Sequence, residues 1–492
     1  MTALAARLRR LAAERPAEAA LFAAGVLLRA WLLTRRSLWF DEAVTLAVAR
    51  APLSDLVRLS RGDGMLPPLH YLLMHFWLKA FADPVLGLRS FSLLCGAAAL
   101  AVFWRTVRRL SPELALPALA VAALSSYWLD LAQSGRPYAL FLLLAAVQLD
   151  LFVLLRERWS ARRGALYAGV GILGLYTHYY YALLLCSQLA DAAWRRRREP
   201  RALAPWLATA LLWAAAFAPW LASLRAQLAI YSAHPVLTAP FGPKALLDLF
   251  GTLFCDVSLL ALVWGGPLRA AGASALALVV LVPFLGRLSP AERRVRALGL
   301  SQVLLPLAAA ALAERVFGRP LTQPRYFVFL SLPAYLLAAL SVRSLRGAGR
   351  AAAAAALFAV LGAGTFGYEY ATLRVDARLA ALAAALRRAA RPGDVVVHLD
   401  PFYYPSLRYH YLRELPNFLA DGSSPALDWG ALPGYPAVAP PGLIARLPRV
   451  LVVDPERRVA PGRLAVSSGA ELARLLAGPR AQNPIMPAGG RR

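Results

Sequence analysis

The sequence predicts an α-helical polytopic membrane protein of about eleven transmembrane helices, with a small C-terminal α/β domain outside the membrane. Three observations support this fold class. The 492 residues are 59% hydrophobic, with a mean hydropathy of +0.53, whereas soluble domains are about 45–50% apolar. The apolar residues form runs of the length that crosses a ~30 Å hydrocarbon core. Beyond residue 376 the composition changes, and two short strand patterns occur there.

The apolar runs alternate with arginine-rich gaps, and this alternation predicts the topology. The runs lie near residues 17–34, 69–82, 85–104, 115–131, 137–155, 164–194, 203–222, 257–287, 298–313, 326–342 and 350–367. The most basic gaps are 105–109, 156–163, 195–201, 287–296 and 343–350. Positive charge favours the cytoplasmic side, so all these gaps are predicted to be cytoplasmic.

Two runs need separate interpretation to keep those gaps on one side. Residues 67–82 are too few to span, so we expect an interfacial or re-entrant helix. The run 164–194 is basic at both ends, so it should cross twice and turn near Thr177, His178 and Tyr179. Residues 1–16 then form a basic cytoplasmic N-terminus. The run 17–34 resembles a signal peptide but lacks a clear cleavage site, which favours an uncleaved first helix.

The predicted domain boundary follows the last apolar run. Residues 17–375 form the transmembrane domain, with a first outer loop at 35–84, and residues 376–478 form the outer domain. Strands are predicted at 393–399 and 449–454, with a helix at 404–412. The tail 479–492 is rich in Pro, Gly and Arg and is predicted to be disordered. We expect a multi-pass protein of a bacterial inner membrane, with its C-terminal domain extracytoplasmic.

Several functional classes are excluded or disfavoured by the sequence. The net charge of +27 comes almost entirely from arginines between apolar runs, a pattern that favours anionic membrane lipid rather than nucleic acid. Two G-x-G-x-x-G matches, at 169–174 and 362–367, lie within apolar runs. The dinucleotide fingerprint requires a preceding strand, so close packing of membrane helices explains these glycines better. The three cysteines lie far apart and predict neither a disulfide framework nor a metal pair.

The outer loops gather ionisable residues, and Asp41 is the centre of the predicted site. Asp41 and Glu42 follow the first apolar run, and ionisable groups at membrane depth are default functional candidates. Each candidate also has a plainer interpretation. Asp41 and Glu42 could cap the helix that follows them. Arg136 and Arg325 could be headgroup anchors, and His178 could be a hydrogen-bonded histidine of a helix turn.

The order of these motifs resembles the opening of the GT-C membrane glycosyltransferases. Leu38-Trp39-Phe40-Asp41-Glu42-Ala43 is followed by Leu66-Pro67-Pro68-Leu69-His70 and then by Leu88-Arg89-Ser90. Arg136-Pro137-Tyr138, Thr177-His178-Tyr179 and Pro324-Arg325-Tyr326 continue the pattern. The branch that these motifs resemble most contains bacterial relatives of protein O-mannosyltransferases and of lipid A aminoarabinose transferases. Many relatives carry His or Asp directly before the prolines, where this chain has Met65-Leu66. The resemblance assigns that place to Asp63 by a small shift.

The resemblance implies transfer of a sugar from a polyprenyl-phosphate donor to a hydroxyl acceptor, with inversion. Asp41 would be the general base, and Glu42 would orient the acceptor or hold the loop. Asp63 and His70 would support the acceptor or the loop. The implied donor-phosphate ligands are Arg325, Tyr326, Arg136, Tyr138, Arg89 and His178.

The motifs leave the substrates and the cofactor open. The sugar could be mannose, aminoarabinose, galactose or another, and the acceptor could be a lipid, a protein or a glycan. Some GT-C enzymes bind a divalent cation near this carboxylate and others do not. Two adjacent carboxylates without a third ligand predict no obligatory metal. A lipid-linked sugar transporter or flippase is the alternative function, and a membrane scaffold is a further one, but neither requires the ordered set of motifs.

Overall fold

A computed structural model describes residues 14–61, 66–233, 240–255, 272–284, 288–318, 320–399, 404, 407, 414–420, 438–439, 441–453 and 464–476. These residues are mostly helical. The helices are α1 Pro16–Ala30, α2 Phe40–Arg50, α3 Leu53–Ser60, α4 Leu69–Trp77, α5 Pro84–Leu110, α6 Ala115–Leu124, α7 Ser126–Gln133, α8 Tyr138–Glu157, α9 Ala161–Leu175, α10 Tyr181–Arg196, α11 Pro200–Phe217, α12 Leu221–Ala233, α13 Pro243–Phe254, α14 Gly272–Leu281, α15 Pro290–Phe317, α16 Ser331–Ser344, α17 Gly347–Ala389, α18 Pro441–Ile444 and α19 Gly469–Leu476.

Local sequence signals fix the ends of the long helices. Asp83 caps α5, because its carboxylate accepts hydrogen bonds from the amides of Val85 and Leu86 at 2.8 and 3.3 Å. Ser289 and Glu292 form a capping box at the start of α15. Gly318 ends α15 in the left-handed conformation, at φ 65°.

The described residues contain five helices that are long and apolar enough to cross a membrane. A sixth is added if the pair Pro112–Leu124 and Ser126–Gln133 is one span bent by 56°. The protein is therefore a multi-pass membrane protein, whereas the predicted eleven spans remain a prediction. The run 164–194 divides into α9 and α10 around residues 176–180, as predicted. Helix α4 has nine residues, and about 14 Å of helix cannot cross a bilayer.

A buried arginine secures the bend between α6 and α7. Arg29 on α1 is fully buried and donates hydrogen bonds to the carbonyls of Ala122 and Ala123, at 2.7 and 3.0 Å. Those carbonyls belong to the last turn of α6, which has no intrahelical partners for them. Arg29 therefore joins the first helix to the point where the chain turns towards the candidate site.

The glycines of the first G-x-G-x-x-G match lie in α9 and permit close packing. A Cβ on Gly171 would lie 2.3 Å from the indole nitrogen of Trp213 on α11, and one on Gly174 would lie 2.3 Å from the ring of Tyr181. A Cβ on Gly169 would meet nothing within 4 Å. Helix approach, rather than nucleotide binding, therefore accounts for Gly171 and Gly174.

The C-terminal region contains a five-stranded sheet in the order β3-β2-β1-β4-β5. The strands are β1 Val395–His398, β2 Asn417–Ala420, β3 Val438–Ala439, β4 Val450–Val453 and β5 Leu464–Ser467. All neighbouring pairs are parallel except β4 and β5. The central strands β1 and β4 lie within the segments that the sequence predicted. Most of the predicted helix at 404–412 and the whole tail 479–492 lie outside the described residues.

Helix α17 connects the membrane part to this sheet without a break. It runs for 43 residues, from Gly347 to Ala389, so the composition change at residue 376 falls inside a helix. Its Leu379, Ala383 and Leu386 pack on one face of the sheet, against side chains of β1 and β4. The backbone is therefore helical across residue 376, where composition indicated a domain boundary, and the first strand of the sheet begins only at Val395. The extracytoplasmic position of this region remains a prediction.

Candidate active site

The site is built around the first turn of α2. The backbone is extended at Trp39 and becomes helical at Phe40, so Asp41 and Glu42 are consecutive residues of one helical turn. Consecutive side chains on an α-helix point about 100° apart. The two adjacent carboxylates therefore enter different environments, one buried in the protein interior and the other partly exposed.

Glu42 is the interior carboxylate. It is 2% exposed and accepts hydrogen bonds from the backbone amides of Trp39 at 3.0 Å and Gly135 at 2.8 Å. Arg89 donates to both of its oxygens, at 2.9 and 2.7 Å. Burial opposes ionisation of this carboxyl, yet the Arg89 charge and these hydrogen bonds hold its pKa at about 2. Glu42 thus caps α2 and fixes the loop, one of the two roles predicted for it.

Arg89 on α5 is committed to the same structural cluster. Its remaining N–H groups donate to the backbone carbonyls of Leu33, Arg36 and Ser37, at 2.8–3.0 Å. With the two bonds to Glu42, these contacts occupy all five donors of a guanidinium. The prediction that Arg89 binds the donor phosphate is therefore not supported, because no donor remains for a ligand. Arg89 instead holds the chain between α1 and α2 against α5.

Asp41 is the carboxylate that remains accessible. Its side chain is 25% exposed, and its Oδ2 accepts a hydrogen bond from Arg325 Nη1 at 3.2 Å. Its backbone carbonyl accepts bonds from Arg136 Nη1 at 3.0 Å and from the Thr45 hydroxyl at 3.1 Å. The backbone of Asp41 is thereby fixed from two sides while its carboxylate stays partly exposed.

Arg325 approaches Asp41 from the other end of the chain. It lies in the 3-10 turn Pro324–Tyr326, and its side chain is 40% exposed. Among the described residues, Asp41 is the only group to which its guanidinium donates. Most of its N–H donors are therefore available to a ligand. Arg136 lies nearby and is almost fully buried, so its contacts with Asp41 and Thr45 position α2.

An aromatic wall stands beside the two arginines. Tyr138 and Tyr326 stack with ring centroids 6.4 Å apart, and His178 lies 5.0 Å from Tyr326. His178 is fully buried, and its Nδ1 accepts from the Tyr180 amide at 3.2 Å. Burial and the nearby Arg136 charge lower the pKa of His178 to about 3. His178 is therefore neutral near pH 7 and supports the aromatic wall, so the contacts do not favour a cationic phosphate-binding role.

Of the two residues predicted to support the acceptor or the loop, only His70 lies among the described residues. His70 on α4 is fully buried, with its ring edge-on to Tyr71 and Phe91. It offers no surface to an acceptor, so the contacts favour a packing role. Asp63 lies outside the described residues. A hydrogen bond of 3.0 Å from the Leu69 amide to the Tyr176 carbonyl joins the start of α4 to the turn that holds His178.

Two features of the site were missed by sequence reasoning. A Cβ on Gly135 would lie 2.9 Å from Leu88 Cβ and 3.3 Å from Glu42 Oε1. The glycine directly before the Arg136 motif is a signal that could have indicated this close approach. A second ion pair joins Arg36 to Asp130 at 3.5 Å, and the Tyr368 hydroxyl donates to Asp130 at 2.9 Å.

No group of three or more His, Cys, Asp or Glu side chains able to hold a metal ion occurs among the residues that the structure describes. Asp63 lies outside those residues. The absence of an obligatory metal therefore remains a prediction.

Comparisons with known proteins agree with this fold. The fold matches ArnT from Cupriavidus metallidurans in its apo state, with a TM-score of 0.53, 13% identity, and 93% of this chain and 98% of that chain covered. The undecaprenyl phosphate-bound form of ArnT matches with a TM-score of 0.52 and 13% identity, over 89% and 93% of the two chains. Residues 66–222 match the family model of dolichyl-phosphate-mannose-protein mannosyltransferases. The resemblance to the GT-C membrane glycosyltransferases is confirmed.

The remaining comparisons give a weaker match or none. The Archaeoglobus fulgidus oligosaccharyltransferase complex with zinc and sulfate, a GT-C enzyme, gives a TM-score of 0.44 with 11% identity, over 89% of this chain and 68% of that chain. None of the curated proteins matches the chain. The match to the mannosyltransferase family model covers α4 to the start of α12, and the motifs of Asp41 and Arg325 lie outside it.

Proposed function

We propose that the protein is a membrane glycosyltransferase that moves a sugar from a polyprenyl-phosphate donor to a hydroxyl acceptor. The observation that carries this proposal is that two adjacent carboxylates have different surroundings. Glu42 is buried and saturated with hydrogen bonds, whereas the carboxylate of Asp41 is accessible and, within the described part of the chain, pairs only with the partly exposed Arg325. Glu42 is sufficient to hold the loop, so the accessible carboxylate of Asp41 is not needed for structure and is available for chemistry.

Asp41 is proposed as the general base. An acceptor hydroxyl within hydrogen-bond reach of its carboxylate would give up its proton as its oxygen attacks the anomeric carbon. The new bond joins that oxygen to the anomeric carbon, and the bond to the phosphate oxygen breaks. A single displacement of this kind passes through an oxocarbenium-like state and inverts the anomeric centre. The backbone contacts of Asp41 with Arg136 and Thr45 keep the base in a fixed position.

Arg325 is proposed to stabilise the leaving lipid phosphate. The phosphate gains negative charge as the sugar departs, and a preorganised cation aimed at that charge is worth roughly 3 kcal/mol. The guanidinium of Arg325 has donors available and lies beside Asp41, so base and phosphate ligand can flank one reacting carbon. Tyr138 and Tyr326 form the adjacent wall, and Arg136 contributes its positive charge from behind α2.

The donor class is supported by the similar ArnT structure that holds undecaprenyl phosphate. The mannosyltransferase family model points the same way, since its description names a dolichyl-phosphate sugar. A lipid-linked donor also suits a site that opens at the ends of apolar helices. We place the reaction at the outer face of a bacterial inner membrane, with the N-terminus in the cytoplasm. The acceptor would be a lipid, a protein or a glycan.

The proposal is tested by a transfer assay on purified protein. Radiolabelled polyprenyl-phosphate sugars are offered one at a time, with a membrane extract as the acceptor source. We expect label to move into a new product with wild type and not with Asp41→Asn. Asp55→Asn is the matched control, because Asp55 is a carboxylate of the same loop whose one partner among the described residues is the exposed Arg58. Donor binding without transfer by wild type would indicate a lipid-linked sugar transporter instead.

A further inference from the structure

A cavity lies at the ends of α8 and α10, away from the candidate active site. Its volume is about 190 Å³, and it is lined by Arg156, Ala192, Arg195, Arg196, Glu199 and Trp206. A water molecule in the liquid occupies about 30 Å³, so the cavity has room for a phosphate group. Three of its six lining residues are arginines.

The cavity carries an excess of positive charge. Asp191 binds Arg156 at 2.8 Å and Arg195 at 3.1 Å, and Glu199 binds Arg196 at 3.2 Å. Three arginines against these two acids leave one positive charge. Within the described residues only Nε of Arg195 has a partner, so its two Nη atoms are unpartnered. Asp191 therefore fixes the position of Arg195 without occupying its outer donors.

The cavity and the candidate active site lie at opposite ends of the same helices. Helix α8 begins at Tyr138 of the aromatic wall and reaches the cavity at Arg156. Eighteen residues of α-helix span about 27 Å, close to the thickness of a hydrocarbon core. Helix α10 likewise begins beside the aromatic wall, at Tyr181, and ends at Arg196. The cavity is thus placed at the other membrane face.

Aromatic side chains place the cavity at the depth of lipid headgroups. Trp206 lines it, Trp159 packs on Trp206 with ring centroids 4.9 Å apart, and Trp194 is exposed. Tryptophans gather at the membrane–water interface. The Arg156 guanidinium lies 5.7 Å from the centre of the Phe152 ring. Arginines at an interface lay the apolar part of the side chain along such surface and keep the charged group at the polar side.

We propose that this cavity binds the phosphate of an anionic lipid in the membrane leaflet opposite the active site. A lipid fits better than free phosphate, because the cavity lies where apolar helices meet the interface and its arginines have apolar neighbours. Fixed guanidiniums recognise phosphate oxygens by paired hydrogen bonds. This inference does not depend on the chemistry proposed for Asp41.

Native mass spectrometry in detergent tests the proposal, with dioleoyl phosphatidylglycerol, dioleoyl phosphatidylcholine and inorganic phosphate as separate probes. We expect preferential binding of phosphatidylglycerol by wild type. Loss of each arginine should weaken that binding on the order of fivefold, so Arg195→Gln/Arg196→Gln should lose roughly 25-fold. Arg162→Gln/Arg163→Gln is the matched control, because both residues are exposed in a neighbouring basic segment and line no part of the cavity.

Equal losses in the two double variants would overturn the proposal, because the effect would then be general surface charge. Equal binding of the two lipids by wild type would also overturn it. Binding of inorganic phosphate as tight as that of phosphatidylglycerol would reject the lipid assignment. If the double variant does not fold, Arg195→Gln alone decides, since it removes two Nη atoms that have no partner among the described residues. Its affinity for phosphatidylglycerol should fall about fivefold, and an unchanged affinity would contradict the site.

Discussion

Replacement of Glu42 by glutamine should lower the stability of the fold rather than act on the chemistry directly. The new amide would place an N–H₂ group among three donors, namely the amides of Trp39 and Gly135 and the guanidinium of Arg89. It would also remove the carboxylate that pairs with the buried guanidinium of Arg89. Breaking a buried ion pair by removing one partner typically costs about 3–5 kcal/mol.

The pKa of Glu42 gives a second route to the same magnitude. It falls from 4.5 to about 2 on folding, and each unit corresponds to ~1.4 kcal/mol. The ionised carboxylate therefore contributes on the order of 3 kcal/mol of stability. Because the folded pKa is lowered, this contribution is fully present above pH 4.5 and is lost as the pH falls towards 2.

The assay is thermal or denaturant unfolding in detergent at pH 7, for Glu42→Gln beside Asp41→Asn. We expect a loss of roughly 3 kcal/mol for Glu42→Gln. The loss for Asp41→Asn should be below about 1 kcal/mol, because the Asp41–Arg325 pair is partly exposed. A Glu42→Gln protein of normal stability but without activity would refute the structural role that we assign to Glu42.

Three further predictions follow from individual contacts. Arg325→Ala should weaken donor binding and turnover together, by roughly 100-fold in kcat/KM, and unchanged kinetics would reject its phosphate role. Gly171→Ala should lower the unfolding temperature, because the new Cβ would lie 2.3 Å from the indole nitrogen of Trp213, whereas the Cβ of Gly169→Ala would meet nothing within 4 Å and should leave it unchanged. Equal changes in unfolding temperature for the two variants would contradict the helix-packing account. Gly135→Ala should cost about 1–3 kcal/mol of stability through contact with Leu88, measured by the same unfolding assay, and a stable variant would show that the backbone can relax there.

The sequence contained enough to locate the site but not to divide its residues by role. Asp41 and Glu42 are adjacent and carry the same charge, so nothing local distinguishes them. Their difference depends on Arg89, 47 positions away, and on the Gly135 amide, 93 positions away. The same long-range contacts turned Arg89 from a predicted phosphate ligand into a structural residue.

The burial of the two histidines could not be read from the sequence either. His178 and His70 lie in motifs with polar and aromatic neighbours, which suit a wet site and a packed one equally. Only the positions of Tyr326 and Phe91, contributed by other elements, show that both rings are enclosed. By contrast, the turn between α9 and α10 and the strand at Val395 were predicted, because charge pattern and apolar runs are local signals.

Helix α17 shows a further limit of composition. A change from apolar to mixed residues at 376 indicated a domain boundary, but the backbone stays helical to Ala389. A helix that leaves an apolar environment to cover a sheet changes its residues without changing its conformation. Its apolar residues then face the sheet, as Leu379 and Leu386 do.

The measurement that tests the central claim most directly is kcat at saturating donor, with donor affinity measured separately, for Asp41→Asn and Asp55→Asn. We predict that Asp41→Asn loses at least about 100-fold in kcat while its donor Kd changes less than about twofold. Asp55→Asn should match wild type in both quantities. An Asp41→Asn protein that folds normally and keeps its kcat would contradict the assignment of Asp41 as the general base.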